Sequence, residues 1–263
     1  MKRLVWAVVN ALQWLLMAVC TVVLTSIAVA ATVVTRSTHA GLAMARRCWA
    51  PALIRICMVD LEVFGAEKLD PGRAWFLACN HESFADIPML FSGLPVDLRF
   101  VAKRELRSVP FMGWYMEAMG MVFVDRRRRK SGAEGIDAVT ALLRAGGSVL
   151  SFPAGTRRAP GEGQAFKAAA FAPALLAGVP VVPVAVHGTH ALLPPGASLR
   201  PGPARVMVGE PIPTAGLPLA ARDEVARQAE AAVTAMLAQL AGAAAGEPLP
   251  IGAAVPPLLR ERA

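Results

Sequence analysis

The chain has 263 residues, 55% of them hydrophobic and only 17% charged, with a mean hydropathy of +0.48. Charged residues make up about 25% of an ordinary domain, so this composition excludes an intrinsically disordered chain, and the length fits one domain with an appendage. Lys and Arg outnumber Asp and Glu by 27 to 19, a net charge of +8, which favours anionic lipid, phosphate or nucleic acid without choosing among them.

The first element is apolar. From Leu4 to Thr35 there is no Asp, Glu, Lys, Arg, Gly or Pro. A helix needs about 20 apolar residues to cross a bilayer, so the run predicts a membrane-anchoring helix that tilts, bends or extends past the lipid. A cleaved secretory signal is the rival, because Lys2 and Arg3 precede the run and Ala28-Val29-Ala30 resembles a cleavage site. The apolar stretch exceeds the roughly 7 to 15 residues of a signal, which favours retention. Arg36, Arg46, Arg47 and Arg55 follow the run, so its basic flanks favour a cytoplasmic C-terminal portion. Whether the helix spans the membrane or lies in one leaflet stays open. Trp49 to Val63 reads as an interfacial helix, and residues 1–65 together form the anchoring segment. Cys20, Cys48, Cys57 and Cys79 have neither paired nor zinc-like spacing, which argues against a disulfide framework and suits a reduced compartment.

After the Asp70-Pro71-Gly72 turn, strand-like and helix-like segments alternate. The strands are Trp75 to Cys79, Leu98 to Ala102, Met121 to Val124, Ser148 to Phe152, Val181 to Val186 and Arg205 to Val208. Helices are predicted over Ala85 to Phe91, Gly113 to Met119, Glu134 to Ala145, Ala165 to Ala177 and Leu219 to Leu240. The alternation argues for a single α/β domain over 66–243, with a mixed sheet flanked by helices. From Ala241 the chain becomes rich in Ala, Gly and Pro, and 244–263 reads as a loose tail.

The chemistry concentrates at the end of the first of these strands, in Asn80-His81-Glu82-Ser83-Phe84-Ala85-Asp86. A carboxylate bonded to one imidazole nitrogen fixes the tautomer and stabilises the imidazolium, which frees the other nitrogen to take a proton from a hydroxyl. Read alone, His81 could equally be a structural residue and Asp86 a helix-start residue. One His and one Asp are too few for a metal site, and His187 and His190 lie far along the chain, so no metal is expected. Phe152-Pro153-Ala154-Gly155-Thr156-Arg157 follows another strand and offers backbone N–H groups, a hydroxyl and a guanidinium to an anion. The five cations from Arg126 to Lys130 can meet headgroups or solvent. No G-x-S-x-G, G-x-x-x-x-G-K-[ST] or G-x-G-x-x-G occurs, which argues against a serine hydrolase, nucleotide hydrolysis and hydride transfer. With one Tyr, no nucleic-acid motif and an apolar anchor, nucleic acid is not an expected partner.

These segments resemble the glycerolipid acyltransferases that acylate lysophosphatidic acid, over roughly residues 60 to 215. Asn80, His81, Ser83 and Asp86 match the family's N-H-x-S-x-x-D block in full. A second block is matched by Lys103-Arg104-Glu105-Leu106, Pro110, Phe111, Gly113 and the Val122-Phe123-Val124-Asp125-Arg126 run. A third, F-P-E-G-T-R, is matched except that Ala154 stands where the family has glutamate. Lys167 follows in the family's F-K-x-G segment, where Ala169 replaces the glycine. Val179 to Val184 matches a last apolar block.

The resemblance implies an acyltransferase domain that moves a fatty acyl group from acyl-CoA or acyl carrier protein to 1-acyl-sn-glycerol-3-phosphate, giving phosphatidic acid in phospholipid biosynthesis. His81 would be the base and Asp86 its orienter. Arg126 and Arg157 would hold the phosphate, with Lys103, Gly155, Thr156 and Lys167 also on the substrate. The implied acyl donor is a co-substrate, and no metal or redox cofactor is implied. The implied partners are the lysophospholipid, the acyl donor and the bilayer. The implied location is the bacterial inner membrane, with the catalytic domain facing the cytoplasm. Ala154 leaves two alternatives: another acceptor, such as a lyso-ornithine lipid or glycerol-3-phosphate, or a catalytically weak lipid-binding protein.

Overall fold

The computed structural model describes residues 2–125, 129–162, 165–196, 198–244 and 253–254. The apolar run folds as helix α1 (Lys2–Thr35), followed by α2 (Thr38–Met44), a π-helical turn at Ala45–Trp49 and α3 (Ala50–Ile56). Ser37 caps α2, its hydroxyl accepting the N–H of His39. Met58 then takes a φ of 54°, which a helix cannot continue, and the chain enters strand β1 (Val59–Phe64). The helical reading of Trp49 to Val63 is therefore corrected in its second half. Leu61 and Val63 are buried, Asp60 is exposed and Glu62 half-buried, a period of two that suits a strand.

The remaining elements are β2 (Phe76–Cys79), α4 (Asp86–Gly93), β3 (Leu98–Lys103), α5 (Met112–Ala118), β4 (Val122–Val124), α6 (Arg129–Arg144), β5 (Ser148–Ser151), α7 (Ala172–Ala177), β6 (Val181–His187), α8 (Thr189–Leu192), β7 (Gly202–Val208) and α9 (Arg222–Ala244). The helix predicted from Ala165 is shorter than expected. It is a 3-10 turn at Ala168–Phe171 leading into α7, with Pro173 in the first turn, where its missing N–H costs nothing. Within the tail expected to be loose, β8 (Ala253–Ala254) pairs antiparallel with Val63 and Phe64.

Among the described residues, eight strands form one mixed sheet in the order β4-β3-β5-β2-β6-β7-β1-β8. The five from β4 to β6 are parallel, while β7 runs antiparallel to β6 and parallel to β1. Successive residues of β2 feed opposite layers. Leu77 and Cys79 join a core with Leu42, Ile54 and Leu90, whereas Phe76 and Ala78 join one with Val139, Phe171 and Val233. All four residues of β2 are buried, as expected of a parallel strand covered on both faces. The parallel strands all point their C-terminal ends at one edge, so the loops after β2, β3, β4, β5 and β6 emerge together.

Helix α1 lies along this domain rather than apart from it. Near its start, the Asn10 amide donates to Leu199 O at 3.0 Å and accepts from Leu199 N at 2.9 Å. Gln13 donates to Ile56 O at 2.9 Å, Trp49 donates to the Thr21 hydroxyl at 3.1 Å, and Ala28 is buried. The opposite face leaves Leu4, Val8, Leu12, Leu15 and Val19 exposed, and Trp6 is exposed at the helix start.

Candidate active site

The end of β2 is tied to β6 by a side chain that imitates a ladder rung. Asn80 is fully buried; its amide donates to Val186 O and its oxygen accepts from Val186 N, both at 2.7 Å. This fixes the departure of the next residue, His81. Ser83 donates to Leu193 O at 3.0 Å and accepts the N–H of Ala85, which shapes the turn into α4. Asp86 opens that helix, fully buried, and its Oδ2 lies 2.6 Å from His81 Nδ1.

Asp86 Oδ2 also accepts the N–H of Glu82 at 2.8 Å and of Ser83 at 3.1 Å, while Oδ1 accepts the hydroxyl of Thr189. A group that accepts from so many donors is held as a carboxylate, so the proton between it and His81 sits on Nδ1. Nε2 is then the basic nitrogen. The ring is stacked on Phe152, with centroids 4.0 Å apart and planes 17° apart, which restricts its rotation.

The Gly155 turn closes against this pair. Gly155 takes a φ of +80° and donates to Phe152 O at 2.9 Å, a conformation suited to glycine. The N–H of Arg158 donates to His81 O at 2.9 Å, and the Arg157 guanidinium lies 3.8 Å from the exposed Phe84 ring. Thr156 and Arg157 face solvent beside His81. Lys167 is exposed, and its backbone is held by a bond to Pro153 O, while the adjacent Phe166 N–H donates to Glu230 of α9 at 2.7 Å. Ala154 packs against the apolar layer that contains Phe166 and Phe171.

Lys103 ends β3, exposed at the same edge. Beyond it a cleft of about 440 Å³ is lined by Arg104, Glu105, Arg107, Ser108 and Asp125. Arg126 lies outside the described residues. A second cavity, about 740 Å³, lies elsewhere, between α9 and the ends of β1 and β7, and shares no residue with this site.

The sequence reading missed Glu82, Thr189, Phe84 and Phe152 as parts of the site. Glu82 is buried, and burial followed by the neighbouring Asp86 pushes its carboxyl up to about 7. The same two carboxyls, together with burial as the largest cause, raise the Cys79 thiol. Glu82 was visible inside the block, but its burial depends on α8, and Thr189 follows a glycine turn 103 residues from Asp86.

The chain matches the family model described as Acyltransferase over residues 60–187. It is 32% identical over 206 residues to a lyso-ornithine lipid O-acyltransferase of Pseudomonas aeruginosa, covering 71% of this chain and 76% of that one. The chain belongs to the acyltransferase family. It is also 36% identical over 154 residues to a 1-acyl-sn-glycerol-3-phosphate acyltransferase of Chlamydomonas reinhardtii, covering 57% of this chain and 46% of the relative. Against that relative and those of Brassica napus and Arabidopsis thaliana it spans half their length or less. The crystal structure of the 1-acyl-sn-glycerophosphate acyltransferase from Thermotoga maritima has the same fold, with a TM-score of 0.80 at 24% identity, covering 92% of this chain and 98% of that one.

Proposed function

We propose that the protein transfers a fatty acyl group from a thioester, acyl-CoA or acyl carrier protein, to the free hydroxyl of a lysolipid. The observation that carries this is the His81–Asp86 pair at the strand edge, with an arginine-bearing turn closed against it. His81 Nε2 takes the proton of the acceptor hydroxyl as its oxygen attacks the thioester carbonyl. Asp86 stabilises the imidazolium so formed, and the C–S bond breaks to give a thiolate that recovers the proton as thiol. Arg157 and Arg126 hold the acceptor's anionic group, with Lys103, Lys167 and the Gly155–Thr156 turn around it. Every proton transfer in this scheme uses the chain's own groups and the two substrates.

1-Acyl-sn-glycerol-3-phosphate is the first acceptor, supported by the names of several relatives and by the cations at the site edge. A lyso-ornithine lipid is the second, supported by the Pseudomonas relative and by Ala154 in place of a carboxylate.

Membrane association follows from the apolar helix α1, and we place the protein on the cytoplasmic face of a bacterial inner membrane. Because α1 is bonded to the domain at Asn10, Gln13 and Thr21 and buried again at Ala28, spanning would drag the polar domain into hydrocarbon. It lies in one leaflet, with the exposed apolar side chains from Leu4 to Val19 in the lipid.

The test is to give the purified protein each thioester with lysophosphatidic acid, lyso-ornithine lipid or glycerol-3-phosphate, and to follow new lipid by mass spectrometry. Phosphatidic acid as the main product supports the first acceptor, and acylated ornithine lipid the second. Absence of product from every pair overturns the enzymatic reading in favour of a lipid-binding protein.

A further inference from the structure

Thr189 stands fully buried at the head of α8 with its hydroxyl between two buried carboxyls. It makes a close contact with Asp86 Oδ1 and lies 3.3 Å from Glu82 Oε2. A hydroxyl has one proton to give. With Asp86 taking it, the second contact is a hydrogen bond only when Glu82 carries a proton and donates to the threonine oxygen. Two carboxyls buried side by side favour that state, because a second negative charge next to Asp86 is costly to desolvate. The raised pKa of Glu82 agrees with this geometry.

We propose that Thr189 and Glu82 are positioning residues of the catalytic pair, forming with it one hydrogen-bonded row, Glu82–Thr189–Asp86–His81, in which the proton on Glu82 sets the basicity of His81. The inference rests on His81 and Asp86 being the reacting pair. While Glu82 is protonated, the polarised Thr189 hydroxyl draws on the charge of Asp86. When Glu82 ionises, that support weakens and a second negative charge joins the row, so the imidazolium is more stable and His81 is the stronger base. The groups facing Glu82 are few. Asp86 lies on α4, Cys79 at the end of β2 stays protonated, and backbone N–H groups come from Gly188, just before α8, and from His190 within it. His187, at the end of β6, has its pKa lowered by burial and by the charge of Arg205.

The experiment uses the full chain in detergent, with its histidines isotope-labelled. There are four, so the His81 signal is assigned by its loss in His81→Ala. In the wild type, the His81 resonances should show a step near pH 7 that reports the ionisation of Glu82. Glu82→Gln should abolish that step. Thr189→Val, which keeps the shape and removes the hydroxyl, should uncouple it and, by leaving Asp86 less firmly held against His81, lower kcat about tenfold with KM unchanged, the size of one hydrogen bond to a charged group. Thr189→Ser should restore both. A single-step titration indifferent to Glu82→Gln, or a Thr189→Val variant with wild-type titration and kcat, would overturn the proposal. Full turnover by His81→Ala would instead overturn the assignment of the base, a separate failure that the titration does not share.

Discussion

Asn80 is the residue on which the site's geometry turns. Its side chain satisfies both backbone groups of Val186 at a fully buried position. Each orphaned group costs about 1–3 kcal/mol, so Asn80→Ala should lose about 2–6 kcal/mol in a denaturant titration. A loss under about 1 kcal/mol would mean that water replaces the amide. Glu82 makes a second prediction, in pH. Its carboxyl is raised from an ordinary 4.5 to about 7 on folding, so the folded chain keeps a proton that the unfolded chain releases in that window. The stability tied to this proton is complete below the lower value and lost as pH rises through the upper one. Glu82→Gln has no such dependence. Its melting temperature relative to wild type should therefore climb between pH 5 and 8, by the equivalent of roughly 3 kcal/mol, and a constant difference would contradict the raised carboxyl. The block from Asn80 to Asp86 was legible in the sequence because the His81–Asp86 bond spans only five residues. Thr189 was not, because its role exists only when β6 returns beside β2.

Among the elements, α8 has four residues, yet it delivers Thr189 because Gly188 turns sharply before it at a φ of +94°. A Cβ there would stand 2.6 Å from Pro203 O. Gly188→Ala should cost at least about 1–2 kcal/mol in a thermal melt and lower turnover through Thr189, whereas unchanged values would show that the turn can relax. The strand β1 escaped the sequence reading because its apolar residues follow directly on those of α3, and a period of two is hard to see over six residues. Strands β2 to β7 were read to within a few residues, because buried strands are short Val- and Leu-rich runs bounded by turns, whereas β8 lies in the stretch expected to be loose.

At the scale of the whole molecule, the parallel strands of the sheet bring their loops to one edge, and an apolar helix packs along the domain. The fold class and the long apolar helix were legible from composition and alternation. How α1 meets the domain was not, because it depends on Asn10, Gln13 and Thr21, polar residues that a hydropathy count treats as noise. If α1 lies in one leaflet, brominated lipids should quench Trp6 at shallow depth and leave the buried Trp75 untouched. Deep quenching at the bilayer centre would indicate a spanning helix instead. The claim on which the rest depends is that His81 activates the acceptor hydroxyl for direct attack on the thioester. The decisive measurement is thiol release from acyl-CoA, followed with and without the acceptor identified in the product assay. Release should wait for the acceptor and fall at least about 100-fold in His81→Ala. A stoichiometric burst of thiol before acceptor is added, or release undiminished in His81→Ala, would contradict it.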